Sequence, residues 1–248
     1  MLFAVLSQPA LAAACAFAEQ GEGHVREVID GRSFRLDDGR EIVLAGIEQP
    51  ITGTGKADRA AALSALIKGR DVTLRGEDDT PDRYGRQTAF AFLGGSEMPV
   101  QRELLAQGAA LVSAAVTDKD CASLLTAAEA EARRARKGSW SDPAAIKNSE
   151  SPDDILTGIG RFALVEGRVF SVRQAGTTTY LNFGRSWTRD FAVTVSRRMI
   201  PAFESAGIVL KSLENRRIRV RGWVEAHPGP RIEVVRVGQI EILGAQAP

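Results

Sequence analysis

Residues 30–50 read DGRSFRLDDGREIVLAGIEQP and contain two short runs of strand-forming residues separated by Asp38-Gly39. An Asp-Gly pair between such runs is a strong signal for a β-hairpin. The stretch ends in Glu48-Gln49-Pro50, which places a carboxylate just before a proline. A hairpin flanked by acidic residues is a candidate rim for a metal-dependent site, so the remaining sequence must show whether that chemistry is present.

The sequence around this hairpin predicts further strands and helices. Partly alternating β-branched residues predict strands at 23–30, 33–36, 41–47, 71–75 and 88–93. The spacing of Ala and Leu predicts helices at 58–67, 100–107 and 122–137. Three strands, a helix, two strands and then helices form a five-stranded barrel with a helical cap, the oligonucleotide/oligosaccharide-binding (OB) type of fold. The predicted fold class is therefore α+β, mainly β with helices.

The second half of the chain repeats this order of elements without a close sequence repeat. Strands are predicted at 162–172, 178–183, 190–195, 217–224 and 231–242, with a helical segment near 197–206. A polar, proline-marked stretch, SDPAAIKNSESPDD at 141–154, separates the halves. We predict a linker at 143–155 and a second small, OB-like β-barrel at 156–244.

Five motifs of the first half occur in a fixed order. They are DGRS at 30–33, LAGIEQP at 44–50, DRYGR at 82–86, QGAALV at 107–112 and AEAEARRARKGSW at 128–140. In this order they resemble the staphylococcal nuclease (thermonuclease, TNase-like) family, which predicts a domain of that type at 19–142. The resemblance implies a calcium-dependent phosphodiesterase with two metal-binding aspartates, a glutamate that activates water, and two arginines that neutralise the phosphate.

Most positions that the resemblance assigns to catalysis carry other residues. Arg32 stands where the first metal-binding aspartate is expected, and Val43 where the first arginine is expected. Glu48 replaces the second metal-binding aspartate, and Ile51 replaces the glutamate base. A cation at position 32 repels calcium, so the motif predicts the nuclease scaffold with a degenerate active site.

Arg86 in DRYGR is the retained catalytic residue, and Tyr84 lies beside it. Both are candidates for contact with phosphate or nucleic acid, although Arg86 is equally suited to pair with a carboxylate of its own turn. Glu48 and Asp30 are candidates for a weak metal site opposed by Arg32. The sequence predicts no cofactor unless the nuclease is active, in which case calcium is expected.

Residues 1–18, MLFAVLSQPALAAACAFA, carry no charge and end in small residues, as a secretory signal peptide does; a buried N-terminal helix is the alternative. The segment Ala12-Ala13-Ala14-Cys15 also resembles a lipoprotein box without its leucine. Cys15 and Cys121 are the two cysteines of the chain, so an oxidising compartment allows one bridge between them; two unrelated thiols are the alternative. We expect an exported protein, periplasmic or secreted, without a transmembrane segment in the mature chain.

Aromatic and basic residues of the second half are candidates for base stacking and phosphate binding. They are Tyr180, Phe183, Trp187, Trp223, Arg185, Arg189, Arg219 and Arg221. The alternative is that the aromatic residues belong to the core and that RIRVRGW at 217–223 is a half-buried strand with a solvated basic face.

Three functions are compatible with these patterns. The first is an exported thermonuclease-like protein that has lost calcium-dependent phosphodiesterase activity and acts as a binding or scaffolding module of the cell envelope. The second is an active secreted endonuclease that hydrolyses DNA or RNA with a non-standard site. The third is a structural module that ignores nucleic acid. The partner is accordingly nucleic acid or another cell-envelope protein, and a formal net charge of +1 does not choose between them.

Overall fold

The computed structural model describes residues 14–50 and 56–244. The first part of the chain forms strands and helices in the predicted order. These are β1 (Ala18–Val28), β2 (Ser33–Leu36), β3 (Glu41–Leu44), β4 (Ile47–Glu48), α1 (Lys56–Ile67), β5 (Asp71–Gly76), β6 (Arg86–Leu93), α2 (Val100–Ala106), β7 (Leu111–Val112) and α3 (Lys119–Arg134).

Five of these strands close into a barrel in the order β1-β2-β3-β6-β5. Strands β3 and β6 are parallel, and the other neighbours are antiparallel. Strand β1 pairs with β5 through its first half and with β2 through its second half, which closes the sheet. Side chains such as Phe34, Leu36 and Phe92 are fully buried inside. The predicted five-stranded barrel is confirmed.

The second part forms a larger sheet. Its elements are β8 (Ile146–Asn148), α4 (Pro152–Leu156), β9 (Phe162–Arg168), β10 (Ser171–Ala175), β11 (Thr178–Asn182), β12 (Ala192–Ser196), α5 (Ile200–Ser205), β13 (Arg217–His227), β14 (Gly229–Val234) and β15 (Ile240–Ile242). The strands lie in the order β10-β11-β12-β14-β13-β9-β8, and β15 pairs with β13.

This sheet has the connectivity of the first barrel, with β9 and β10 together in the role of β1. The backbone N–H of Val169 donates to the carbonyl of Arg216, whereas the next N–H, of Phe170, donates to the carbonyl of Asn182. The chain therefore changes partner strand between these two residues, which divides the strand predicted at 162–172. Strand β12 is parallel to β14, as β3 is to β6. The second half therefore shares this strand order but forms an eight-stranded sheet, whereas a second closed barrel was predicted.

The segment predicted as a linker, 143–155, is part of the second sheet. Strand β8 lies parallel to β9, and Ile155 of α4 is fully buried. The Lys147 ammonium contacts Asp154 Oδ1 at 2.7 Å, which connects β8 to α4. The prediction of a linker is therefore corrected. The segment is polar in composition, but its buried Ile155 and its paired Lys147 are held in the fold.

The N-terminal segment is joined to the first barrel by a disulfide between Cys15 and Cys121, with the two Cα atoms 4.5 Å apart. The ring of Phe17 stacks on Phe90 with centroids 4.7 Å apart. The predicted disulfide is confirmed, and it excludes lipidation of the Cys15 sulfur in this state. Residues 14–18 are thus part of the fold, so a signal peptide cannot include all of 1–18 without removing Cys15. The rest of that predicted segment, 1–13, lies outside the described residues.

The two sheets are in contact. A hydrophobic cluster at the junction combines residues from both parts: Leu111, Ala132, Trp140, Phe162 and Leu164. Beside it, the guanidinium of Arg221 on β13 forms a buried ion pair with Glu129 of α3, with Nη2 and Oε2 2.8 Å apart. Within the described residues, no helix is long and apolar enough to cross a membrane.

Candidate functional site

The turn between β1 and β2 directs Arg32 toward β4. The Asp30 carboxylate accepts a hydrogen bond from the backbone N–H of Arg32 at 2.8 Å, which fixes the turn. The Arg32 Nη1 atom then donates to the carbonyl oxygen of Ile47 at 3.0 Å and forms an ion pair with Glu48 Oε2. The guanidinium is therefore held between a carboxylate and a backbone carbonyl.

Glu48 is fixed by its backbone and is largely shielded from water. Strand β4 pairs with β7, with Glu48 opposite Leu111. The side chain is 15% exposed, and that of its partner Arg32 is 26% exposed. Burial raises the pKa of Glu48, while the Arg32 charge and hydrogen bond act in the opposite direction. The pair satisfies both charges locally, so neither is presented unpaired to a ligand.

These residues do not fit a calcium ion. Calcium takes roughly six to eight oxygen ligands, many of them carboxylate oxygens. Here the Glu48 carboxylate and the Ile47 carbonyl are both engaged by a guanidinium, and Asp30 is engaged by its own turn. Among the described residues, no group of three or more His, Cys, Asp or Glu side chains is arranged to hold a metal.

The second sheet borders this region. Two cavities, of about 460 and 270 Å³, are both lined by Arg32 and Glu48 from the first barrel and by Phe162 and Trp223 from the second sheet. We call them together the domain cleft. Val43 lines the smaller cavity and is 6% exposed. Ile51, predicted at the position of the base, lies outside the described residues.

Arg86 is held by a carboxylate of its own turn. Its Nε and Nη2 atoms donate to Asp82 Oδ2 at 2.9 and 2.7 Å. These hydrogen bonds lower the pKa of Asp82 to about 2. Tyr84 is 66% exposed, with the Arg86 guanidinium 5.2 Å from its ring centre. Neither Arg86 nor Tyr84 is among the residues that line the domain cleft.

Comparison with known proteins identifies the first barrel. Residues 41–142 match the family model described as staphylococcal nuclease homologue. The match lies within the first part of the chain and does not reach the second sheet. The match includes Val43, Glu48 and Arg86 and begins after Arg32. A search of the curated proteins found no match to the chain.

The staphylococcal nuclease homologue domain extends in space beyond the matched residues. Strands β1 and β2 precede residue 41, yet they complete the closed barrel. The turn that carries Arg32 joins these two strands, and the side chain returns to Glu48 within the matched part. Arg32 and Glu48, which the resemblance assigns to the two metal-ligand positions, therefore contact each other.

The basic face predicted on β13 is not available to a ligand. Arg219 is 8% exposed and pairs with Glu166 and Glu241. Arg221 is 4% exposed and pairs with Glu129 of the staphylococcal nuclease homologue domain. The prediction of phosphate binding by these two arginines is wrong, because carboxylates from other elements already neutralise them.

The predicted aromatic residues separate into three locations. Phe183 is buried against Phe191, with ring centroids 5.0 Å apart. Trp223 contacts Phe162 edge to face, at 6.1 Å, beside the domain cleft. Tyr180, Arg185 and Trp187 lie together in a third place, and Arg189 is exposed in the same loop as Trp187.

A groove on the second sheet contains this last group together with residues that the sequence did not single out. Its aromatic and basic lining residues are Phe170, Arg173, Tyr180, Arg185, Trp187 and Arg231. We call it the arginine–aromatic groove. The sequence contained one signal for this groove. Ser171, Arg173 and Ala175 are alternate residues of one strand, and alternate residues lie on the same face of a sheet.

Proposed function

We propose that this protein is a non-catalytic binding or scaffolding module whose staphylococcal nuclease homologue domain has exchanged its calcium ion for an arginine side chain. The observation that carries the proposal is the position of Arg32 Nη1, between the Glu48 carboxylate and the Ile47 carbonyl. A guanidinium is a permanent cation that satisfies the Glu48 charge but offers no coordination position to a phosphate oxygen or a water.

The other positions that the resemblance assigns to catalysis support the same conclusion. Hydrolysis of a phosphodiester requires cationic groups that neutralise the developing charge on phosphate. Val43 is apolar and buried where the resemblance expects an arginine. Arg86 is retained, but Asp82 accepts two hydrogen bonds from its guanidinium. Arg32 and Arg86 are thus both paired within the protein. Loss of a single group that stabilises the transition state already lowers the rate of an enzyme about 100- to 1,000-fold.

Export is part of the proposal and is supported by the cysteines. The Cys15–Cys121 disulfide persists in oxidising compartments such as the periplasm or the extracellular space. The apolar composition of residues 1–13 is that of an export signal that ends before Cys15. We therefore place the protein at the cell envelope, where it binds a partner without cleaving it.

We expect the purified protein to show no calcium-stimulated hydrolysis of single-stranded DNA or RNA. The measurement compares cleavage of end-labelled oligonucleotides in calcium and in a chelator, for the wild type and for Arg86→Ala. The variant reports contaminating nuclease, since the retained arginine is the one group that an active site of this family would still use. Hydrolysis that rises with calcium and is lost in Arg86→Ala would establish the alternative, an active secreted endonuclease.

A further inference from the structure

The arginine–aromatic groove lies on the face of the second sheet formed by β10, β11, β12 and β14. It has a volume of about 740 Å³ and is separate from the domain cleft. Strand register places Arg173 opposite Tyr180 and aligns Asn182, Ala192 and Arg231 in one row. The strands therefore provide a floor that is fixed by backbone hydrogen bonds.

Loops add aromatic rings at the edge of this floor. Trp187, in the loop between β11 and β12, is 72% exposed, and Phe170, at the junction of β9 and β10, is 46% exposed. The guanidinium of Arg185 lies over the Phe170 ring, 5.6 Å from its centre. Large exposed aromatic rings gathered in one groove indicate a surface that binds a ligand, because scattered exposure would not bring them together.

The groove is basic although the chain as a whole is nearly neutral. Arg173, Arg185, Arg231 and His227 line it, and no Asp or Glu is present among the described residues of its lining. Glu225, outside the lining, pairs with Arg231 at 2.8 Å. Arg219 and Arg221 of the same sheet are instead buried in ion pairs.

We propose that the arginine–aromatic groove binds single-stranded nucleic acid, with bases stacked on Trp187, Phe170 and Tyr180 and phosphates paired with Arg173 and Arg185. Every base has a flat π face, so aromatic platforms beside cationic side chains recognise a single strand with little sequence preference. This inference rests on the proposed function in one respect, namely that the bound strand is not cleaved. An anionic polysaccharide also pairs with arginines and can pack its sugar faces on aromatic rings, so the test includes dextran sulfate as a competing ligand.

The test is fluorescence anisotropy of a labelled oligothymidylate titrated with the full chain at several salt concentrations. We expect Trp187→Ala to weaken binding about fivefold or more, because one stacked base is lost. Trp187→Phe should retain most of the affinity, because it keeps a ring. Arg185→Ala should reduce the slope of log affinity against log salt by about 0.7, the value for one phosphate contact on a single strand.

Matched controls lie elsewhere on the same domain. Trp223→Ala removes an exposed tryptophan beside the domain cleft, and Arg198→Ala removes an exposed arginine outside the groove. Both should bind like the wild type. Absence of binding at low salt, equal loss in the controls, or binding of inorganic polyphosphate or dextran sulfate that matches the oligonucleotide and ignores Trp187→Ala would overturn the proposal.

The same samples separate this inference from the proposed function. Oligonucleotide recovered after the titration in calcium should be intact on a denaturing gel. Cleavage with binding that depends on Trp187 would contradict the proposed loss of catalysis and leave the groove as inferred. Intact oligonucleotide without binding would overturn the proposed binding by the groove and leave the proposed loss of catalysis unaffected.

Discussion

Replacement of Arg221 by leucine is expected to lower the free energy of unfolding by about 3–5 kcal/mol, because it leaves the Glu129 carboxylate buried without its main partner. The Arg221 Nη1 and Nη2 atoms contact Glu129 Oε1 and Oε2 at 3.1 and 2.8 Å. The two side chains are 5% and 1% exposed. Arg133, 3.8 Å from Glu129, compensates only in part.

Chemical denaturation of the oxidised protein measures this effect, with Arg217→Leu as the matched control. Arg217 lies on the same strand, is 49% exposed and is 3.6 Å from Glu166, so its loss should cost only about 0–1 kcal/mol. The double variant Arg221→Leu/Glu129→Leu should be more stable than Arg221→Leu, since no carboxylate is then buried unpaired. An Arg221→Leu loss no larger than that of Arg217→Leu would contradict the assignment of this pair as a stabilising polar contact between the two parts of the chain.

Removal of the disulfide is the second change with a large expected effect. The bridge joins residues separated by 106 positions, and Cys121 lies in the first turn of α3, where its N–H donates to the Asp118 cap at 2.7 Å. In the chain-entropy model, a loop of this length corresponds to about 4–5 kcal/mol, an upper value that native-state strain reduces. We expect Cys121→Ala to lower the melting temperature and release residues 14–17 from the barrel.

The measurement is thermal unfolding of the oxidised wild type, the reduced wild type and the variants Cys121→Ala and Cys15→Ala. All three altered forms should melt at similar temperatures, because each lacks the same cross-link. Hydrogen exchange at residues 14–17 gives a local readout of the released segment. Two free thiols in the native oxidised protein, or a melting temperature unchanged by reduction, would contradict the disulfide. The proposal of export would then lose the support that the disulfide gives it.

The sequence predicted the first barrel because its signals are local. The Asp38-Gly39 turn closes a hairpin, and the helix that follows ends before Gly69, which has a φ of 68°. Strand β1 begins at Ala18, five residues earlier than the predicted start at 23, since its first half is polar and exposed. Backbone pairing with β5 holds that half in place. Its residues do not alternate between apolar and polar, so the sequence carries no signal for a strand there.

Ion pairs between residues that are distant in sequence explain which features of the site were not predicted. The alternation in RIRVRGW correctly predicts a strand, but the face with Arg219 and Arg221 meets carboxylates from other elements, including one 92 positions away. The contact between Arg32 and Glu48 likewise depends on the tertiary fold. The sequence indicated that a cation at position 32 would repel calcium, but the barrel was needed to show that this cation is bound to Glu48.

Calcium titration by isothermal calorimetry tests the central claim most directly, with wild type, Arg32→Asp, Arg32→Ala and Arg32→Asp/Glu48→Gln compared. The wild type should show no binding heat, because its guanidinium already pairs with Glu48. Arg32→Asp replaces the cation with a carboxylate beside Glu48 and should bind calcium, whereas Arg32→Ala and the double variant should bind weakly or not at all. In thermal unfolding, calcium at about 100 times its Kd should stabilise Arg32→Asp by about 2.7 kcal/mol. Calcium binding by the wild type that Arg32→Asp/Glu48→Gln does not show would contradict the claim that Arg32 has replaced the metal.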